Sequence, residues 1–310
     1  ISSLENSGTI SAGEDNGINN EGIIGNISNT GTISAGNNIG IHNNTSATIT
    51  NLTNTGVISS VKSSSLYNIG AISSLENSGT ISAGEDNGIY NTGTIDYILN
   101  TGTISASNNN IGIYNDGGII KTLDNSQSDL TYKGVLPTNY NAIINSPSNY
   151  GKITFSDVSG ATNFGVHSSS TLAVGTYGAV MSGLNANNIS SGTSGTFVSG
   201  ADRIKWILEN VDSNWNLIIS DKIDIAPDTF KSIETSVKSN TIDSFNDLNS
   251  VIEVNFANMN TYDCDSFGSR NGCISLGGRD TQINNPKTRT KAIVLIGGYK
   301  LSDSIRVAGF

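Results

Sequence analysis

An eighteen-residue segment, ISSLENSGTISAGEDNGI, occupies residues 1–18 and recurs unchanged at residues 72–89, an offset of 71. An identical internal repeat constrains a fold more than composition does, because one supersecondary unit must recur and its copies must bury each other's faces. Inside it lies a shorter motif, I-x-x-[L/I]-x-N, beginning at Ile1, Ile24, Ile49, Ile72, Ile95 and Ile120, in steps of 23, 25, 23, 23 and 25. A Gly-Ile pair closely followed by Asn marks a second phase at Gly17-Ile18, Gly40-Ile41, Gly88-Ile89 and Gly112-Ile113, with Ser65-Leu66 in the third slot. Both landmarks keep a coil of about 24 residues.

Within a coil, Leu4, Asn6, Gly8, Ile10 and Ala12 share one parity and Ile18, Asn20, Gly22 and Ile24 another. That is the two-residue period of a strand, so each coil is expected to supply two strand segments. Corners are expected at Gly13-Glu14-Asp15-Asn16-Gly17 and at pairs such as Ser2-Ser3, both rich in chain-bending residues. Coils stacked about 4.8 Å apart would pair each strand with its neighbours, so five coils predict a rod of roughly 24 Å. Asn6, Asn29, Asn54, Asn77 and Asn100 would then stack as an amide ladder. A helical reading fails, because Gly and β-branched residues fill every helix interior. The fold class read here is mainly β, a parallel β-helix over residues 1–125.

Composition excludes partners more than it identifies them. Only 14% of residues are charged, and residues 1–125 carry ten acids against Lys62 and Lys121, with no Arg before Arg203. Nucleic acid and anionic lipid both need clustered cations, so no nucleic-acid partner is expected. No stretch has the 18 apolar residues of a membrane helix, and any membrane contact would need strands. The chain opens in the middle of a repeat, which reads as a fragment.

Regularity stops near Asn125. Residues 126–220 are expected to form an irregular β cap, with a hairpin from residues 203–208 to 215–219 that holds both tryptophans, Trp206 and Trp215. A helical period runs over residues 228–259, within a linker spanning 221–289. Cys264 and Cys273 flank a polar loop, and a local disulfide is their natural pairing, with free thiols or a metal site as the alternatives. Residues 290–310 read as a hairpin with one apolar side, as a lipid-facing strand pair or a soluble sandwich strand would have.

With Asn-[Ser/Thr]-Gly-Thr-Ile at residues 6–10, 29–33, 77–81, 91–95 and 100–104, followed by cap, helix and hairpin, the chain resembles the bacterial autotransporters of type V secretion. The resemblance implies a right-handed β-helical passenger, an autochaperone-like cap, a linker helix in a barrel pore and the first strands of an outer-membrane β-barrel. It places the passenger outside the cell, anchored in the outer membrane, with a host, cell or glycan surface as partner.

No catalytic residue, cofactor or metal ligand is expected. Glu14-Asp15 and Glu85-Asp86 share a corner three coils apart and read as solvated turns. His42 is placed at a corner and His167 in the cap, and no nucleophile elbow or phosphate loop accompanies them. Outward Thr9, Thr32, Thr80 and Thr103 read as β-favouring surface residues. A structural or adhesive rod is the functional expectation, and the alternative is a secreted β-helical polysaccharide-acting enzyme whose catalytic coils precede Ile1.

Overall fold

A computed structural model describes residues 1–108, 110–199, 202–224, 268–284, 287–302 and 305–309. The chain divides into two compact units, Ile1–Ile225 and Ala226–Phe310. The fold is mainly β, and the first unit is a β-solenoid of about seven turns.

Each of the first five coils makes three strands, where two were expected. A representative coil runs Ala71–Asn77, Thr80–Ala83 and Ile89–Asn91. The first two lie in the stretch whose common parity suggested one strand. Parity survives the corner at residues 78–79 because Asn77 keeps its side chain inside while the backbone turns, so alternation alone could not reveal it. Conversely, the corner expected after each Ile is a bend inside one strand. Ile72 and Leu75 are both buried in Ala71–Asn77, with Ser73 and Ser74 facing out between them.

Stacking puts like residues in register. One sheet has eight strands, from Ser3–Asn6 to Asn163–Val166, and all of its pairings are parallel. A second has five, from Thr9–Ala12 to Thr103–Ala106. In the third, Ile18–Asn20, Ile41–Asn43, Leu66–Asn68, Ile89–Asn91 and Ile113–Asn115 stack in parallel. Inside, Ile33, Ile58, Ile81 and Ile104 form one aliphatic column and Ile41, Leu66, Ile89 and Ile113 another, all at most 1% exposed. Each such side chain contributes about 1.5–3 kcal/mol of burial.

The stacking does not stop at Asn125. Asn139–Ala142 pairs in parallel with Ile119–Asn125, and Leu130–Val135 with Ile113–Asn115. Backbone ladders need no sequence repeat; here Tyr132, Tyr140, Phe155 and Phe164, all at most 4% exposed, fill the interior in place of Ile and Leu. The third sheet then turns antiparallel. Gly175–Ser182 pairs with Asn214–Asp224, which forms the expected hairpin with Asp202–Val211. Asp212 and Ser213, both at positive φ, make its two-residue turn. Trp206 and Trp215 are 7% and 3% exposed, and Trp215 Nε1 donates to Leu184 O at 3.0 Å.

In the second unit, Gly272–Asn284, Lys287–Ser302 and Ile305–Gly309 form an antiparallel meander. Its first strand falls in the stretch read as linker. Ile274, Leu276, Ile293 and Leu295 are 61–82% exposed, while Cys273 and Ile296 are buried. The helix expected over residues 228–259, and Cys264, lie outside the described residues.

Candidate functional site

The interior polar residues are structural. Asn54 Nδ2 reaches Asn77 Oδ1 at 2.8 Å and Thr80 O at 3.1 Å, and the same links join Asn6 to Asn29, Asn29 to Asn54, and Asn77 to Asn100. The backbone carbonyl of Asn54 accepts from both Ser78 N and Gly79 N of the next coil, so one Asn per coil satisfies a corner. All five predicted ladder residues are brought together, and Asn125 extends the column. A second, unpredicted ladder runs through Asn20, Asn43, Asn68, Asn91 and Asn115, with amide contacts of 2.7–2.8 Å. Its signal was present in sequence, as the Asn that follows each Gly-Ile landmark.

Gln127 ends the second sheet. Its Oε1 accepts from Ile104 N at 2.8 Å and its Nε2 donates to Ile104 O at 3.1 Å, so one amide replaces a strand on that edge.

On the outer face of the third sheet, the residue between each buried Ile or Leu and each ladder Asn points outward. Register therefore aligns Asn19, His42, Tyr67, Tyr90, Tyr114 and Lys133 in one column. His42 is thus in mid-strand rather than at a corner; the corner follows it, at residues 44–47. Ring centroids are 5.2, 4.9 and 5.2 Å apart along His42, Tyr67, Tyr90 and Tyr114. His42 and Tyr67 stack at 19°, whereas Tyr67 with Tyr90 and Tyr90 with Tyr114 cross at 64° and 67°. In each edge-to-face pair one ring's edge rests on its neighbour's face, so the column is packed ring against ring along its length. All four rings are half-buried.

Polar groups border the column. Tyr90 OH donates to Asp116 Oδ2 at 2.6 Å; that bond, with burial, raises the phenol's pKa. Lys133 Nζ lies 5.4 Å from the Tyr114 centroid and 3.2 Å from Asp157. Burial lowers the His42 pKa, opposed by the charge of Glu21, and the ring's Nε2 is buried without a hydrogen-bond partner. At the Tyr114 end a cleft of about 400 Å³ is lined by Asn87, Asn110, Tyr114, Lys133, Ser156 and Asp157.

The remaining candidates are dispersed. Thr9, Thr32, Thr80 and Thr103 do share one outward column, interrupted by Val57. Glu14 is held by Asn37 and Asp86 by Ser64 and Asn87, in corners three coils apart. Around His167, Ser169 Oγ lies 2.7 Å from Nδ1 and Asp124 Oδ2 lies 3.4 Å from Nε2. Ser169 N also donates to Nδ1, which closes the contact within one turn. Asp124, 3% exposed, further accepts from Tyr97 OH and Asn141 Nδ2, tying three coils of the first sheet. Compared with known proteins, the chain matches no family model, no curated protein and no solved structure.

Proposed function

We propose that this chain is part of the surface-displayed passenger of a bacterial autotransporter, a non-catalytic structural and adhesive rod held outside the cell. The observation that carries the adhesive reading is the half-exposed column His42, Tyr67, Tyr90, Tyr114 on a rod whose interior amides are satisfied coil by coil. A rigid column of repeated weak contacts binds an extended surface by multivalency. The Trp206 and Trp215 hairpin serves as an autochaperone-like cap, and the exposed Ile274, Leu276, Ile293 and Leu295 as the lipid-facing side of the first barrel strands. A disulfide between Cys264 and Cys273 closes the loop before those strands. Beads coated with the chain should adhere to bacterial or epithelial cell layers above albumin-coated beads, and equal adhesion would defeat the adhesive reading.

One observation favours a hydrolase instead, the Ser169, His167 and Asp124 alignment. Catalysis needs the serine hydroxyl activated by the imidazole. We read the cluster as a pin, so a fluorophosphonate probe should leave Ser169 unmodified; stoichiometric labelling that disappears in His167→Ala would reverse that assignment.

A further inference from the structure

We infer that the aromatic column of the third sheet is a binding site for a neutral, β-1,4-linked pyranose chain lying along the rod. The inference rests on the adhesive reading and gives it a ligand class. Three observations point to this chemistry.

The first is spacing. Rings repeat every 4.9–5.2 Å from His42 to Tyr114, close to the length of one pyranose unit in an extended β-1,4-linked chain. Each sugar ring can therefore meet one rung, laying its C–H face along the partly exposed outer side of that ring. A coiled α-linked chain loses that register after one or two units.

The second is charge. Asp116, Glu21 and Asp157 lie along or beside the column, and the nearest cation on it, Lys133, is already paired with Asp157. Nucleic acids, uronate polymers and phosphorylated glycans would meet net repulsion. The ligand chemistry that remains is neutral, amphipathic and polyhydroxylated.

The third is the distribution of hydrogen-bonding groups. The Tyr67 and Tyr114 hydroxyls, the Asp116 carboxylate and the amide of Asn110 offer donors and acceptors at the edge of the ring column. That combination suits hydroxyls arrayed equatorially round a ring with apolar faces; a purely apolar partner would leave those groups unpaired. The cleft beyond Tyr114 has room for a terminal unit beside Lys133 and Asp157.

Calorimetric titration of the full chain with cellohexaose and chitohexaose tests this, with maltohexaose and polygalacturonate as comparisons. Either β-linked oligosaccharide should bind and neither comparison should. Tyr67→Ala and Tyr90→Ala should each weaken binding roughly tenfold, while Tyr67→Phe retains it. Should the Ala variants fail to fold, the wild type supplies a second readout. Added ligand should shift the ring-proton resonances of Tyr67, Tyr90 and Tyr114 and leave those of buried Tyr132 and Tyr140 in place. No binding of either β-linked hexasaccharide, equal binding of maltohexaose, or undiminished binding by folded Ala variants would each overturn the assignment. If coated beads still adhere to cells in that event, the adhesive rod stands and only its ligand is wrong; if they do not, both fall.

Discussion

At the residue scale the chain depends on asparagine. Each ladder amide serves a corner within its own coil and the next coil at once, a job that needs a donor and an acceptor on one short side chain. Removing Asn77 would take a partner from Asn54 Nδ2, Asn100 Oδ1 and Thr103 O together. Asn77→Ala should therefore cost about 1–3 kcal/mol in urea denaturation, and Asn77→Asp more, because a carboxylate would face Asn100 Oδ1 and Thr103 O. Asn26, exposed on the outside of the same sheet and paired only with Asn51, is the control, and its replacement by Ala should change stability little. His42 adds a pH dependence. Burial lowers its pKa from 6.5, so as pH falls below about 6.5 the unfolded chain takes up a proton before the folded one does. Stability is complete above that pH and declines below it until folded His42 itself protonates. The urea midpoint should fall between about pH 7 and about pH 5 by less in His42→Phe than in the wild type, and identical profiles would remove His42 from the account.

At the element scale the corners decide how tightly coils approach. A Cβ at Gly79 would collide with Gly56 O, and Gly56 meets Gly31 O in the same way. Gly31, Gly56, Gly79 and Gly102, each two residues after an Asn of the first ladder, are therefore there for the close approach of adjacent backbones, as their φ values are not positive. Gly79→Ala should separate the coils locally and lower the melting temperature more than Gly192→Ala, since the nearest atom to the corresponding point at Gly192 is Ser194 O at 4.0 Å. Comparable melting of the two variants would refute the contact argument. The aromatic column arises from the same corners, because fixing Asn inward fixes its preceding neighbour outward.

At the scale of the whole molecule a solenoid is stabilised by nearest-neighbour contacts, so protection should follow the number of stacked coils on each side. Amide hydrogens of Thr103–Ala106, whose far edge is met by Gln127, should exchange faster than those of Thr80–Ala83, which has a paired strand on both sides, and uniform protection would contradict coil-by-coil stability. Sequence alone determined the coil length, the parallel stacking, the first Asn ladder and the Trp hairpin, because each is a local pattern repeated at fixed spacing or bounded by turn residues. Only the tertiary structure decided that a coil has three strands, since an inward Asn carries parity unbroken round a corner. It alone carried the stacking past Asn125, where backbone pairing persists and large aromatics replace the aliphatic repeat. And it alone assembled His42, Tyr67, Tyr90 and Tyr114, four residues about one coil apart whose rings meet only when the strands are laid side by side.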